Sequence, residues 1–180
     1  VGGQGHWPDA DMIPFGHIGI KCTLAGGARQ SRFTKDEQRT LMSLWALAPS
    51  PLMLGANLPD LDTWTLSLLT NDEVLAVDQD PLGSPARRVT QTDGAEIWVK
   101  ELKGGDKAIG LFNRSDAAQN VELSWSSAGL TGSQMLRDLW AHKDLGAFKE
   151  KFIVQVPSHG AVLLRADREN VTEQKPGDGE

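Results

Sequence analysis

A single cysteine, Cys22, is the whole thiol complement of this 180-residue sequence, so no disulfide can form within it. That suits a reducing compartment or a fold that needs no covalent staple. No apolar run approaches the ~18 residues of a membrane-spanning helix, and no membrane partner is expected. An excess of basic charge is missing too. Lys and Arg number 18 against 24 Asp and Glu, giving a formal charge of −6. Nucleic acid, whose phosphates demand a basic face, is therefore not an expected partner. Val1-Gly2-Gly3 lacks the charged start and apolar stretch of a signal peptide. His6, Asp9 and Asp11 have no further ligand cluster around them, so neither a metal nor a cofactor is expected.

What is present fits a soluble globular protein of one or two domains, with 39% hydrophobic and 23% charged residues. The compartment is left open, secreted or periplasmic included. The most informative stretch is Gly5-His6-Trp7-Pro8-Asp9-Ala10-Asp11-Met12-Ile13. An extended segment throws Asp9 and Asp11 onto one face, with Trp7 beside them. Carboxylates accept from sugar hydroxyls, and an aromatic face covers the apolar C–H surface of a pyranose ring. Trp7, Asp9, Asp11 and Met12 are thus candidate substrate-binding residues. Asp-x-Asp also occurs in surface turns and Ca²⁺ loops, so the pattern alone leaves both readings open.

Further along, Ala25-Gly26-Gly27-Ala28 marks a loop, and Thr34-Lys35-Asp36-Glu37 is a capping box. The helix it starts carries Leu41, Leu44, Trp45 and Ala48 as an apolar stripe, and Pro49 and Pro51 stop it. Pro51–Ala56 reads as a short buried parallel strand. Asp62 or Thr63 caps a helical stretch with Leu66 and Leu69, and Thr70-Asn71-Asp72-Glu73 is a second capping box. After Gly83 the hydrophobic period changes to two. Glu96–Leu102, Lys107–Asn113, Gln119–Trp125, Met135–Trp140, Phe152–Val156 and Ala161–Leu164 read as short strands of an antiparallel sandwich. Trp45 and Trp64 read as helix core, and Trp98, Trp125 and Trp140 as sandwich core or a sugar-binding face. From Asp167 the chain is polar, with Pro176, Gly177 and Gly179, and is expected to be disordered.

The opening stretch resembles the Gly-Trp-Asn-Asp-Pro-Asp-Met-Leu segment of clan D α-galactosidases and α-N-acetylgalactosaminidases, which are retaining glycoside hydrolases. Pro8 and Ala10 depart from that pattern, and residues 14–33 resemble an insertion. Leu44-Trp45-Ala46-Leu47-Ala48-Pro49-Ser50-Pro51-Leu52-Met53 is similar to the helix and strand that follow in the family. Asp78-Gln79-Asp80-Pro81-Leu82-Gly83 resembles the family's closing motif, with Asp78 in place of Asn. The resemblance implies the fold class α/β plus all-β. Residues 1–82 would be the C-terminal portion of a catalytic (β/α)₈ TIM barrel, 83–166 an antiparallel β-sandwich and 167–180 a tail.

A whole barrel needs roughly 250 residues, so most of one would lie upstream of this chain. The family's nucleophile sits in a Lys-x-Asp segment, and its acid/base is a further Asp. Lys35-Asp36 and Lys143-Asp144 lack the spacing and the strand context, so no catalytic residue is expected here. Retention requires two carboxyls about 5–5.5 Å apart. Asp9 and Asp11 are the local candidates for such a pair, but the resemblance assigns the matching positions to the sugar pocket. Two functions follow. One is a share of a hydrolase acting on terminal α-galactosides, whose partners are the sugar and the upstream barrel segment. The other is a non-catalytic carbohydrate-binding or structural β-sandwich module.

Overall fold

The computed structural model describes residues 6–21 and 26–168. Gly5 of the opening motif, Cys22, Ala25 of the glycine-rich loop and the tail from 169 lie outside the described residues. β1 (Met12–Ile13) leads into a short antiparallel pair, β2 (His17–Ile18) and β3 (Arg29–Gln30). α1 (Lys35–Leu47), β4 (Met53–Leu54), a 3₁₀ turn at Leu58–Asp60, α2 (Thr63–Leu69) and α3 (Asp72–Asp78) follow. β1 and β4 pair in parallel, Met12 opposite Met53 and Ile13 opposite Leu54. Parallel neighbours need a crossover connection, and α1 supplies it.

The helices start where the sequence puts their caps, with one shift. The Thr34 hydroxyl accepts from the Glu37 N–H at 3.2 Å while the Glu37 carboxylate accepts from the Thr34 N–H at 2.7 Å. Asp62 caps α2 through the Thr65 N–H at 2.7 Å. For α3 the cap is Asn71, which accepts from the Val74 N–H at 3.0 Å; Thr70 instead ends α2. Asn71 also donates to the Leu139 carbonyl at 3.0 Å, a long-range bond that only tertiary structure reveals.

The second half is antiparallel. Its strands are β5 (Arg87–Thr92), β6 (Ala95–Glu101), β7 (Lys107–Asn113), β8 (Gln119–Ser124), β9 (Ser133–Asp138), β10 (Lys143–Lys149), β11 (Lys151–Val156) and β12 (Ala161–Arg168). A six-stranded sheet in the order β10-β9-β12-β7-β6-β5 faces the pair β11-β8. Trp125 opens a short helix, α4 (Trp125–Ala128), rather than ending a strand. Asp167 is ordered and pairs with Met135, so β12 runs further than the polar composition suggests.

Both faces of the large sheet are covered. Ile97, Val99, Ile109 and Leu111 pack against Val121, Leu123 and Val156 of the small sheet. The opposite face presents Leu102, Ala108, Phe112 and Leu163 to Met42, Ala46, Leu47, Val74 and Val77 from α1 and α3. One core thus joins the helices of the first half to the sheet of the second. Gly110 makes the approach possible, since a Cβ there would collide with Leu47 of α1 and with Phe112. The fully buried face of α1 is Met42, Ser43, Ala46 and Leu47, while Leu41, Leu44 and Trp45 on the expected stripe are only partly buried.

Candidate functional site

The carboxylate motif forms a turn, not an extended strand. Asp11 has φ = 67°, a left-handed conformation that Asp tolerates better than most residues. The Asp9 carboxylate accepts from the Asp11 N–H at 2.8 Å, and the Asp11 carboxylate accepts from the Met12 N–H at 2.7 Å. Strand alternation therefore does not set the directions of Asp9 and Asp11. Two anchors fix the turn: Ala10 N–H donates to Ser50 Oγ at 2.9 Å, and Trp45 Nε1 donates to the Asp11 carbonyl at 3.3 Å. Both carboxylates are exposed. Met12 opens β1 with 59% of its surface exposed, beside Met53 of β4 at the same 59%.

Trp7 lies elsewhere. The edge of its six-membered ring rests on Gly83, whose φ of 60° and lack of a side chain leave room for it. It lines a cleft of about 330 Å³ with Pro49, Ser50, Pro51, Asp78, Gln79, Asp80 and Pro81. Pro49–Pro51 lead into β4, and Asp78–Pro81 leave α3, so this cleft sits at the end where the parallel strands begin. Asp9, Asp11 and Met12 are not among its walls. The structure thus brings Asp9, Asp11 and Met12 together in one turn and separates Trp7 from them.

Sequence reasoning passed over an ionisable pair beside this cleft. Lys100 of β6 has 0% exposure, and its Nζ donates to the carbonyls of Ala46 at 2.9 Å and Val77 at 2.5 Å. Those carbonyls belong to the last turns of α1 and α3, where a cation offsets the negative end of the helix dipole. Burial drives the Lys100 pKa down to about 8, against the opposing pull of Asp78 and Asp80. Burial likewise pushes Asp78 up to about 6, partly offset by Lys100, and Asp78 Oδ1 is buried without a hydrogen-bond partner. Two signals were available: Asp78 replaces the Asn of the closing motif, and Lys100 follows the apolar Ile97-Trp98-Val99 run of β6.

The remaining aromatics are structural. Trp125 is 4% exposed and donates to the Gly132 carbonyl, Trp98 donates to Glu96, and Trp140 donates to Ser43. Lys35 Nζ and the Arg39 guanidinium of α1 each lie over the Trp64 ring, 4.8 Å from its centroid. The triplet Asn113-Arg114-Ser115 fits a glycosylation acceptor, yet Asn113 is 1% exposed and its Nδ2 donates to Ala117, Val156 and Pro157. Asn170 of the other triplet lies outside the described residues. No helix is long and apolar enough to cross a membrane among the described residues.

Comparison with known proteins agrees with this geometry. Residues 1–80 match the family described as "Alpha galactosidase A", and residues 92–166 match "Alpha galactosidase C-terminal beta sandwich domain". Alpha-galactosidase 2 of Arabidopsis thaliana is 33% identical over 91% of this chain and 39% of its own length. A family 27 β-L-arabinopyranosidase from Geobacillus stearothermophilus superposes with a TM-score of 0.86 at 43% identity, covering 96% of this chain and 39% of that one. A variant of that enzyme in complex with arabinose superposes at 0.84, with 42% identity over 92% of this chain and 38% of that one. The chain therefore spans about two fifths of the length of the relatives it matches. It belongs to the family 27 α-galactosidases, or melibiases, and comprises a C-terminal portion of the (β/α)₈ barrel and the antiparallel β-sandwich that follows.

Proposed function

We propose that this chain is part of a retaining glycoside hydrolase acting on terminal α-galactosides. It supplies sugar contacts through Asp11 and Met12, while the nucleophile and the acid/base reside on a barrel segment outside it. The observation that carries this reading is the Asp9–Met12 turn, held at the start of β1 next to β4 in a chain of this family. Asp11 presents an exposed carboxylate to hydroxyls, and Met12 presents an exposed apolar side chain to a ring face. Asp9 and Asp11 each spend one oxygen on a backbone N–H of the turn, and the second Asp11 oxygen is the one proposed to meet the sugar. The exposed Met53 of the parallel pair and Leu58 just beyond it are cover for the remaining barrel strands. The alternative, a carbohydrate-binding sandwich module, loses support because Trp98, Trp125 and Trp140 are all engaged within the protein.

The test is galactose inhibition of the chain fused to the upstream barrel of a family member. Asp11→Ala is expected to weaken inhibition by about 1–3 kcal/mol, the worth of a hydrogen bond to a charged group. Inhibition unaltered in Asp11→Ala would refute the assignment.

A further inference from the structure

We propose that the cleft under Trp7 is a binding site for a single neutral pyranose ring, with Trp7 as the apolar wall and Asp78, Gln79 and Ser50 as the polar contacts. The proposal rests on the galactoside reading only for the choice of probe. The cleft is about 330 Å³, at the lower end of the roughly 300–1,000 Å³ of small-molecule pockets, which suits one ring better than a chain of them. Trp7 keeps 50% of its surface open while Gly83 seats its edge, so the indole is available to a ligand. Pro49, Pro51 and Pro81 form walls with little conformational freedom to lose on binding.

The polar groups favour a polyol over an ion. Ser50, 1% exposed, lies at the back of the cleft wall, where its Oγ accepts from the Ala10 N–H and keeps its own proton to donate. Asp80 is occupied by the backbone N–H groups of Leu82 at 3.0 Å and Lys103 at 3.1 Å. Asp78 remains as an acceptor for sugar hydroxyls, and the exposed Gln79 amide can both donate and accept. An anion finds two carboxylates and no cationic side chain among the wall residues. An organic cation would find Trp7 and the two carboxylates, but the buried Lys100 ammonium already offsets the Asp78 charge. Carboxylate, amide and hydroxyl beside an indole make the chemical set that recognises a pyranose.

The eight wall residues named belong to this chain, so the 180-residue protein is the sample. Ligand-observed saturation-transfer NMR with methyl α-D-galactopyranoside should give saturable binding in the millimolar range. Trp7→Ala, Asp78→Asn and the surface change Gln79→Ala should each weaken it, with Asp78→Asn losing roughly tenfold, as expected for one charge-assisted hydrogen bond. Retained signal dispersion in Gln79→Ala separates lost contact from lost fold. No saturable binding to the unaltered chain would overturn the proposal, and so would choline competing for the same signal. Asp11→Ala distinguishes the two sugar readings: if binding persists there and falls in Trp7→Ala, the cleft holds the sugar. If it falls in Asp11→Ala and persists in Trp7→Ala, this proposal fails and the Asp11 assignment stands.

Discussion

A lysine with no exposed surface must find partners for its ammonium, and Lys100 finds them in two helix ends at once. Neither α1 nor α3 has a basic residue in its own last turn, so this strand residue serves as the C-terminal cation for both. Lys100→Met keeps the length and removes the charge. It should cost about 1–3 kcal/mol for each carbonyl left unpaired, read from urea unfolding. Stability within experimental error of the parent would mean that water or a rearranged side chain replaces Nζ. Asp78 has the opposite sign of effect. Its folded pKa of about 6 exceeds the ordinary 3.8 of an aspartate, so between those values the native state holds a proton that the unfolded state has released. Its stabilising share is complete below pH 3.8 and is lost as pH rises through 6. Glu73 works in reverse, because its bonds to Arg137 hold its pKa at about 2 against 4.5; its share is lost as pH falls from 4.5 towards 2. Unfolding measured across that range should therefore show Asp78→Asn losing the decline between pH 4 and 6 and keeping the acid limb. A decline that survives the substitution would belong to another group.

Elements differed in how legible they were. The capping box at Thr34 was readable because its partners are three residues apart and satisfy each other locally. Thr34→Ala should cost about 1 kcal/mol, as losses of such caps do, measurable as a lower melting temperature; an unshifted melting curve would show the cap to be redundant. The central strands β6, β7 and β12 were readable from their alternation, since packing fixes which side chains turn inward. β5 and β10 were not. They are the two edges of the large sheet, and their sequences, Arg-Arg-Val-Thr-Gln-Thr and Lys-Asp-Leu-Gly-Ala-Phe-Lys, carry the charge and the irregularity that edges need. β10 also shifts register between Asp144 and Gly146, which breaks the period that a sequence reader counts. The Asp9–Asp11 segment misled in a different way. Asx turns place the side chain on the backbone within two residues, and no hydrophobic period distinguishes that from a short extended stretch. The directions of these side chains come from the turn.

At the scale of the whole molecule, the shared core decides how the two halves depend on each other. Strands that alternate and pair among themselves would, taken alone, let the sandwich beyond Ser84 fold as an independent monomer. In the fold, Leu102, Ala108, Phe112, Leu139 and Leu163 on one face of the large sheet are buried against α1 and α3. A chain starting at Ser84 would bare that face and strand Lys100 without either carbonyl. It should self-associate or bind hydrophobic dyes, and light scattering showing a cooperative, monodisperse monomer would contradict the joint core. The first half has its own open side, where Met53 and Leu58 are each 59% exposed.

The central claim, that this chain shapes a galactoside pocket while the displacing carboxyls lie outside it, meets its most direct test in hydrolysis. p-Nitrophenyl α-galactoside should remain intact above background with the 180-residue chain alone and be cleaved when the chain is joined to the upstream barrel of a family member. Turnover by the chain alone that disappears in Asp9→Asn or Asp11→Asn would contradict the account, because those two carboxyls would then be the catalytic pair.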